Sequence, residues 1–534
     1  MRLPIIPFVV AAIILGAVVY LFNTTGAVRR ILDAPRLTRL VDIEGIETEV
    51  AISPDGSRYV VVADGDLWEV PAPDGKPIRM TQTAEPESAP SWSPDGRRVT
   101  FTRGTDTFVL SSDALTGSGE PFKTDATSLS WSASGRLTYV RNRGLWVTDV
   151  AGKNDQQIIP TDESPNVTLH APHFSPDSQQ IAFIKSLLNI SGQVWLIDVL
   201  NGATRQLVAD RPMEVPLDLG WIMDGRHLVY LTNRAGAYSL WHVNFEDNTI
   251  MPLTQPLVTM PLAQIGIGIT KDRIILPRHF VDSNIALSDG TTIVQSDDIE
   301  FEPAVSNDGK LVAYTVLKDN KSEVWTAAID GSNSSFRAGG HEPRFTADGF
   351  HLVYTHSDLR GNHDVWQVDL RNGATDHITD ADELDVTPDA SNDGRWITFA
   401  STRSISPSVW VIPASGGKRL RINAGGIGPR FSPDSRSILF WNKGSMWIMA
   451  ADGTGLRSAS MDDTAMPNVG AWSGLTPVQV VGSQIRGPNG KVVFESGRSL
   501  WPRFDVMDDG RFVIAPIDIR ETQLWAVDLQ FRTQ

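Results

Sequence analysis

The sequence predicts an all-β fold: two tandem six-bladed β-propellers with four-stranded blades, following an N-terminal hydrophobic helix. Three observations carry this reading. A strand–turn–strand motif recurs along the chain, an aromatic residue recurs behind it, and unattached strand-like segments stand where rings must close.

The motif is clearest at Pro90-Ser91-Trp92-Ser93-Pro94-Asp95-Gly96-Arg97-Arg98-Val99-Thr100-Phe101. Ser-Pro-Asp-Gly places proline at the second turn position and glycine at the fourth, and Val99 and Phe101 then alternate with polar residues as a strand does. Copies spaced by about 40 residues, the period of propeller blades, bend at Asp55-Gly56, Asp95-Gly96, Ser134-Gly135, Asp177-Ser178, Asp224-Gly225 and a degenerate Asp272-Arg273. The series continues at Asp308-Gly309, Asp348-Gly349, Asp393-Gly394, Asp434-Ser435, a degenerate Ser473-Gly474 and Asp509-Gly510, which makes twelve units.

The second marker is Trp68, Phe108, Trp146, Trp195, Trp241, Leu287, Trp325, Trp366, Trp410, Trp447 and Trp525, each within an alternating run that reads as a third strand. Short segments such as Thr204 to Val208 follow and serve as the outer strand. Arg36 to Leu40 has no inner strands of its own and can complete the sixth blade, whose chain ends near Leu287. Thr291 to Gln295 can likewise complete the last blade, whose third strand is Leu524 to Leu529. The expected domains are therefore 1–35 as anchor or signal segment plus linker, 36–290 as the first propeller and 291–534 as the second. Closing each ring in this way removes exposed edge strands.

Leu3 to Phe22 is nearly uninterrupted apolar sequence, long enough as a helix to cross a bilayer core. It reads as a membrane anchor, with cleavage after the small residues Thr25-Gly26-Ala27 as the alternative. Arg29, Arg30, Arg36 and Arg39 after the segment outnumber Arg2 before it, a bias that taken alone would keep the large domain inside.

A formal net charge of −16 argues against nucleic acid, since no Lys/Arg excess exists to neutralise phosphates. The absence of cysteine excludes disulfides, thiolate nucleophiles, thiolate zinc sites and lipidated cysteines. An apolar fraction of 41% with 16 tryptophans excludes a disordered chain.

Pro-Ser-Trp-Ser-Pro-Asp-Gly, Pro-His-Phe-Ser-Pro-Asp-Ser and Pro-Arg-Phe-Ser-Pro-Asp-Ser resemble the WD40-like (PD40) repeats of TolB-type propellers, a resemblance running from about residue 36 to the end. It implies a six-bladed fold, a periplasmic or extracytoplasmic location on the inner membrane and a protein or peptide partner. The family's separate α/β domain is missing from the pattern. The Gly-x-Ser-x-Gly of propeller-bearing serine peptidases does not occur, and Gly470-Ala471-Trp472-Ser473-Gly474 has the wrong spacing.

Residues just before the first strand of each blade should ring the channel. Six positions before the bend aspartate, four are acidic: Glu49 and Asp218 in the first ring, Glu302 and Glu342 in the second. Such carboxylates can hold a cation or a partner's basic side chains, or can be solvated turn residues and salt-bridge partners of residues such as Arg344 and Arg430. His170 and His341 join this candidate binding set. His170 and His173 are three apart, which on a regular strand sets them on opposite faces and argues against a shared metal. His341-Glu342-Pro343 lacks the second histidine of a zinc-peptidase helix. No metal, cofactor or catalytic residue is expected. The once-per-blade tryptophans read as inter-blade packing, and Trp441 and Trp501, which fit neither series, as exposed contacts. The expected function is a membrane-tethered or exported, non-enzymatic protein- or peptide-binding scaffold of the bacterial cell envelope. The alternatives are a channel hydrolase or lyase with a carboxylate or metal centre, and an extracytoplasmic sensor.

Overall fold

The computed structural model describes residues 37–528 except 42, 44, 112–116, 162–166, 188–190, 209–213, 223–224, 236, 246–248, 255–264, 271–272, 319–320, 358–362, 381–383, 402–406, 424, 443–444 and 462–469. The segment Leu3 to Phe22 and the bend residues Asp224 and Asp272 lie outside the described residues. Among the described residues no helix is long and apolar enough to cross a membrane.

Each bend is built by its own side chains. Ser93 Oγ donates to Asp95 Oδ1 at 2.6 Å and accepts from Arg98 N–H at 2.9 Å, while Asp95 Oδ1 accepts from Arg97 N–H. The same set recurs around Asp55, Asp177, Asp308, Asp393 and Asp434. Gly96 follows at φ 67°, a left-handed backbone that glycine adopts without a Cβ clash. Where serine replaces it, at Ser178 and Ser435, φ is still 61° and 60°, and each hydroxyl accepts an N–H from the preceding blade's bend, of Ser134 and Asp393. The indoles of Trp92, Trp221 and Trp472 donate to the carbonyls of Ala51, His173 and Arg430 in the preceding blade, so the bend-strand tryptophan fastens one blade to the next.

The bends organise twelve four-stranded antiparallel sheets. Blade 1 contains Glu47–Ile52, Arg58–Ala63, Asp66–Pro71 and Ile78–Arg79. Blades 2 to 5 begin at Glu87–Trp92, Thr127–Trp131, Val167–Phe174 and Asp218–Trp221. Blades 7 to 11 begin at Ile299–Val305, His341–Phe345, Asp385–Ala390, Ile427–Phe431 and Ala471–Ser473. The third-strand marker faces a second-strand side chain, usually aromatic: Phe101 opposite Phe108, Tyr139 opposite Trp146, Phe183 opposite Trp195, Tyr314 opposite Trp325, Phe399 opposite Trp410. The apolar clusters span neighbouring blades, as where Val194 and Leu196 of blade 4 meet Leu219, Trp221 and Tyr230 of blade 5.

Ring closure differs from the expected split near residue 290. Blade 6 is Gly268–Ile269, Arg273–Ser283, Ile517–Asp528 and Leu37–Arg39; blade 12 is Asp505–Val506, Phe512–Ile514, Ile285–Leu287 and Thr292–Val294. Leu37–Arg39 and Thr292–Val294 are the outer strands of blades 6 and 12, but the third strands are exchanged. Trp525 faces Leu276 in the first ring, and Leu287 faces Val513 in the second. The two long segments pair from Arg273↔Asp528 to Ser283↔Ile517 and again from Ala286↔Ile514 to Leu287↔Val513, so one antiparallel ribbon enters both rings. Both candidate third strands alternate in the same way, so the sequence pattern did not separate them; the packing of Leu524 and Ala526 against Val50, Tyr59 and Ile275 does.

Leu524 is fully buried in that cluster. Leu524→Ala should cost about 2–5 kcal/mol. It should accelerate amide hydrogen exchange in blades 1 and 6 while leaving blades 8 to 10 protected; exchange rising instead in blades 11 and 12 would place the strand in the wrong ring.

Candidate functional site

The first strands of blades 1 to 4 and 7 to 10 each carry a β-bulge, between 47/49, 88/91, 127/130, 170/173, 301/304, 341/344, 386/389 and 427/430. In seven of these the residue six positions before the bend has a left-handed φ: Ala89, Ser128, Ala171, Glu302, Glu342, Thr387 and Gly428. The bulge locally reverses the strand's alternation and re-aims side chains. It also overturns the expectation for His170 and His173: they pair with Ile184 and Ala182, two apart on the partner strand, and so share a face.

In the second ring this level is filled by an ion-pair network. Arg503 Nη2 donates to Glu342 Oε1, and Arg503 Nε stands 3.5 Å from Glu302 Oε1. Glu302 Oε2 accepts from Thr315 Oγ1 and Glu342 N–H, both at 2.9 Å; Glu342 Oε2 accepts from Thr355 Oγ1 at 2.8 Å and Thr387 N–H at 2.7 Å. Burial pushes the Glu342 carboxyl up, but Arg503 and His341 beside it outweigh burial and hold it below the usual range. A second layer lies two residues along. Arg430 Nη2 meets Asp505 Oδ1 at 3.1 Å, Arg430 Nε and Arg344 Nε flank Asp389 Oδ1 at 3.6 and 4.0 Å, and Arg344 Nη1 lies 3.8 Å from Asp505 Oδ2. Burial, with Arg430 nearby, pulls Arg344 down to about 9, and burial raises Asp389 despite both arginines.

Glu302, His341 and Glu342 bring possible metal-ligand atoms within 4.8 Å of one another. The Arg503 guanidinium stands on both carboxylates, in the place a cation would take, so the donor set suits an internal ion pair better than a divalent ion.

The first ring differs. Glu49 Oε2 accepts Ala89 N–H, and burial, with Asp218 adding a smaller repulsion, raises the Glu49 carboxyl to about 8. Asp218 accepts Leu219 N–H and Ile267 N–H, both at 2.8 Å, and its Oδ1 lies 3.6 Å from His173 Nε2. His173 Nδ1 is 3.3 Å from Ser130 Oγ, and His170 Nε2 is 3.3 Å from Pro216 O. Burial lowers the His170 imidazole below its usual range. Among the described residues no Arg or Lys lies within ion-pairing distance of Glu49 or Asp218.

Glu49 and Asp218 thus come together, as do Glu302, Glu342 and His341, in separate rings. Arg344 and Arg430 pair with Asp389 and Asp505 rather than with Glu302 or Glu342. Arg503, Asp389 and Asp505 fall outside the expected set, although Arg503 occupies the same position six before its bend and the others stand four before theirs. Trp441 and Trp501 are buried, not exposed: Trp441 packs with Val386, Leu439 and Met446, and Trp501 stacks on Phe301 with ring centroids 4.5 Å apart.

Twelve such blades in two closed rings, each with its own channel chemistry, define a tandem β-propeller protein. Residues 284–474 match the family model of the TolB beta propeller domain, so the resemblance carried by the repeats holds over that stretch. The match begins at the residue before the ribbon enters the second ring. Among solved structures, the chain is similar to TolB from Acinetobacter baumannii at 14% identity, covering 76% of each chain with a TM-score of 0.27. It is similar to the GH74 enzyme of Niastella koreensis at 12% identity, covering 85% of this chain and 92% of that one with a TM-score of 0.33. It is also similar to the tricorn protease at 12% identity, covering 84% and 60% with a TM-score of 0.28. Likenesses at this level carry no argument about activity.

Arg503→Met should strand the buried Glu342 and the half-buried Glu302 carboxylates and cost about 3–5 kcal/mol in chemical denaturation, with part recovered by adding Glu342→Gln. Glu49 has the opposite sign. Its folded-state pKa of about 8 lies above the ordinary carboxyl value of 4.5, so its contribution is fully present below the lower value and is lost as pH rises towards the higher one. Glu49→Gln should therefore raise stability at pH 8, by roughly 2 kcal/mol, and change little at pH 4, as read from thermal unfolding at the two pH values.

Proposed function

We propose that this chain is a non-enzymatic, protein- or peptide-binding scaffold of the bacterial cell envelope, tethered to the inner membrane or exported across it, and that its partner docks at the channel of the first ring. One observation carries the reading. The second ring answers its channel carboxylates with its own arginines, whereas the first sets only the imidazoles of His173 and His170 beside Asp218 among the described residues. The surrounding first-ring positions are small: Ala89, Ser128, Ala171 and Gly266 stand level with Glu49 and Asp218, six residues before their bends. A channel mouth with small walls and a carboxylate met by no guanidinium or ammonium of the described residues is a surface on which a partner gains electrostatic complementarity. The family match over the second ring supports a propeller scaffold, and the apolar stretch Leu3 to Phe22 with the PD40 repeats supports the envelope location.

Crosslinking of the full-length protein in its own cells should capture a protein partner that is lost on Asp218→Lys and retained when an exposed bend residue such as Asp95 is changed to Lys. Capture that survives Asp218→Lys would remove the first-ring channel from the reading, and propellers resistant to external protease after outer-membrane permeabilisation would remove the periplasmic location.

A further inference from the structure

The two rings share an acid at one equivalent inner position, Glu49 and Glu302, and differ at the position supplied by the closing blade. In each, the acid on the first blade accepts the N–H of the second blade's equivalent residue: Glu49 from Ala89, Glu302 from Glu342. In the second ring the closing blade then supplies Arg503, six before Asp509, and its guanidinium reaches Glu302 and Glu342. The position six before Asp272 on the first ring's closing blade is Gly266. A Cβ placed on Gly266 would lie 3.1 Å from Glu49 Cβ and 3.5 Å from Asp218 Oδ2, so this residue stands between acids on its two flanking blades, whereas Arg503 reaches the acids of the two blades that follow it round the ring.

We infer that the first-ring channel is an arginine site without its arginine, and that it takes the guanidinium of an arginine side chain from a partner peptide between Glu49 and Asp218. The inference rests on the scaffold reading above and names the partner group that reading leaves open. Three further observations converge on it. Glu49 is 5% exposed and has one carboxyl oxygen bonded to Ala89, with no bond made by the other among the described residues. Asp218 is oriented by two backbone N–H groups, fixing a carboxylate that has no guanidinium. The His173 side chain beside Asp218 is 36% exposed and gives the buried acids a path to solvent, whereas Arg503 in the second ring is 9% exposed.

A guanidinium entering beside Glu49 favours its ionised form, so binding should release a proton wherever Glu49 is protonated in the free protein. The groups facing Glu49 act with this. Asp218 on blade 5 is the repelling neighbour, and His173 on blade 4 stands 3.6 Å from Asp218 while burial lowers the His170 imidazole beside it. Glu87 on blade 2 is committed to Arg103, and His279 on blade 6 is bonded to Glu47 O. Binding should therefore strengthen from pH 6.5 to pH 8.5.

The test is isothermal titration of the full-length protein in detergent with acetyl-Gly-Arg-Gly-amide and with its citrulline analogue. The expected result is saturable binding of the arginine peptide alone, at least tenfold tighter at pH 8.5 than at pH 6.5, with proton release at the lower pH. Asp218→Asn should weaken binding at least tenfold, Glu49→Gln should abolish proton release, and Gly266→Arg should block the site in cis. Since Gly266→Arg crowds Glu49, the first two variants carry the test if it fails to fold. No binding up to 10-fold above millimolar peptide, equal binding of the citrulline peptide, or arginine binding indifferent to Asp218→Asn overturns the inference. A partner captured through Asp218 but bearing no arginine at the contact would overturn it while leaving the scaffold reading intact.

Discussion

A closed ring of sheets has no end only if its last blade is finished by chain that comes from elsewhere, and in this protein a single antiparallel ribbon does that for both rings. Arg273–Ser283 pairs with Ile517–Asp528 inside the first ring, and the same two chain segments run on to pair Ile285–Leu287 with Phe512–Ile514 inside the second. The remaining blades depend on this closure, because each inner strand is bonded or packed against its neighbour and the series must return to its start. Val50 and Tyr59 of blade 1 find their apolar partners in Ile275, Leu524 and Ala526, which the ribbon delivers.

Given closure, the inner bulges set the chemistry of the channels. The same geometric device, a left-handed residue six positions before the bend, presents Glu302 and Glu342 in one ring and Ala89, Ser128 and Ala171 in the other. Charge balance then separates the rings. The second has three arginines against four carboxylates in its two layers and ties almost all of them together, while in the first burial raises the Glu49 carboxyl and no guanidinium of the described residues meets Glu49 or Asp218. A charged group in a poorly hydrated site needs a partner, which the chain itself provides in one ring only.

Much of this was legible in the sequence, for reasons that are local. Ser-Pro-Asp-Gly encodes a turn through side-chain hydrogen bonds within a few residues, so the bends and the blade count were readable from spacing. The acidic positions were found by counting back from those bends. Three things were not legible. A bulge inserts one residue without a consistent side-chain signature, since glycine, alanine, serine, threonine and glutamate all occupy it, and this hid the shared face of His170 and His173. Which of two similar strands completes which ring is decided by packing between residues hundreds of positions apart. Trp441 and Trp501 departed from the repeat because they fill gaps particular to blades 10 and 12, not because they are on the surface.

The ribbon also sets an order of assembly during synthesis. Everything the second ring needs, residues 285–514, has been made before Ile517–Asp528, which complete the first ring. The first five blades therefore wait, through the translation of the whole second ring, with an unfilled slot between Arg273–Ser283 and Leu37–Arg39. For that interval the nascent protein presents open strand edges, which makes the older half of the chain the half that most needs a chaperone.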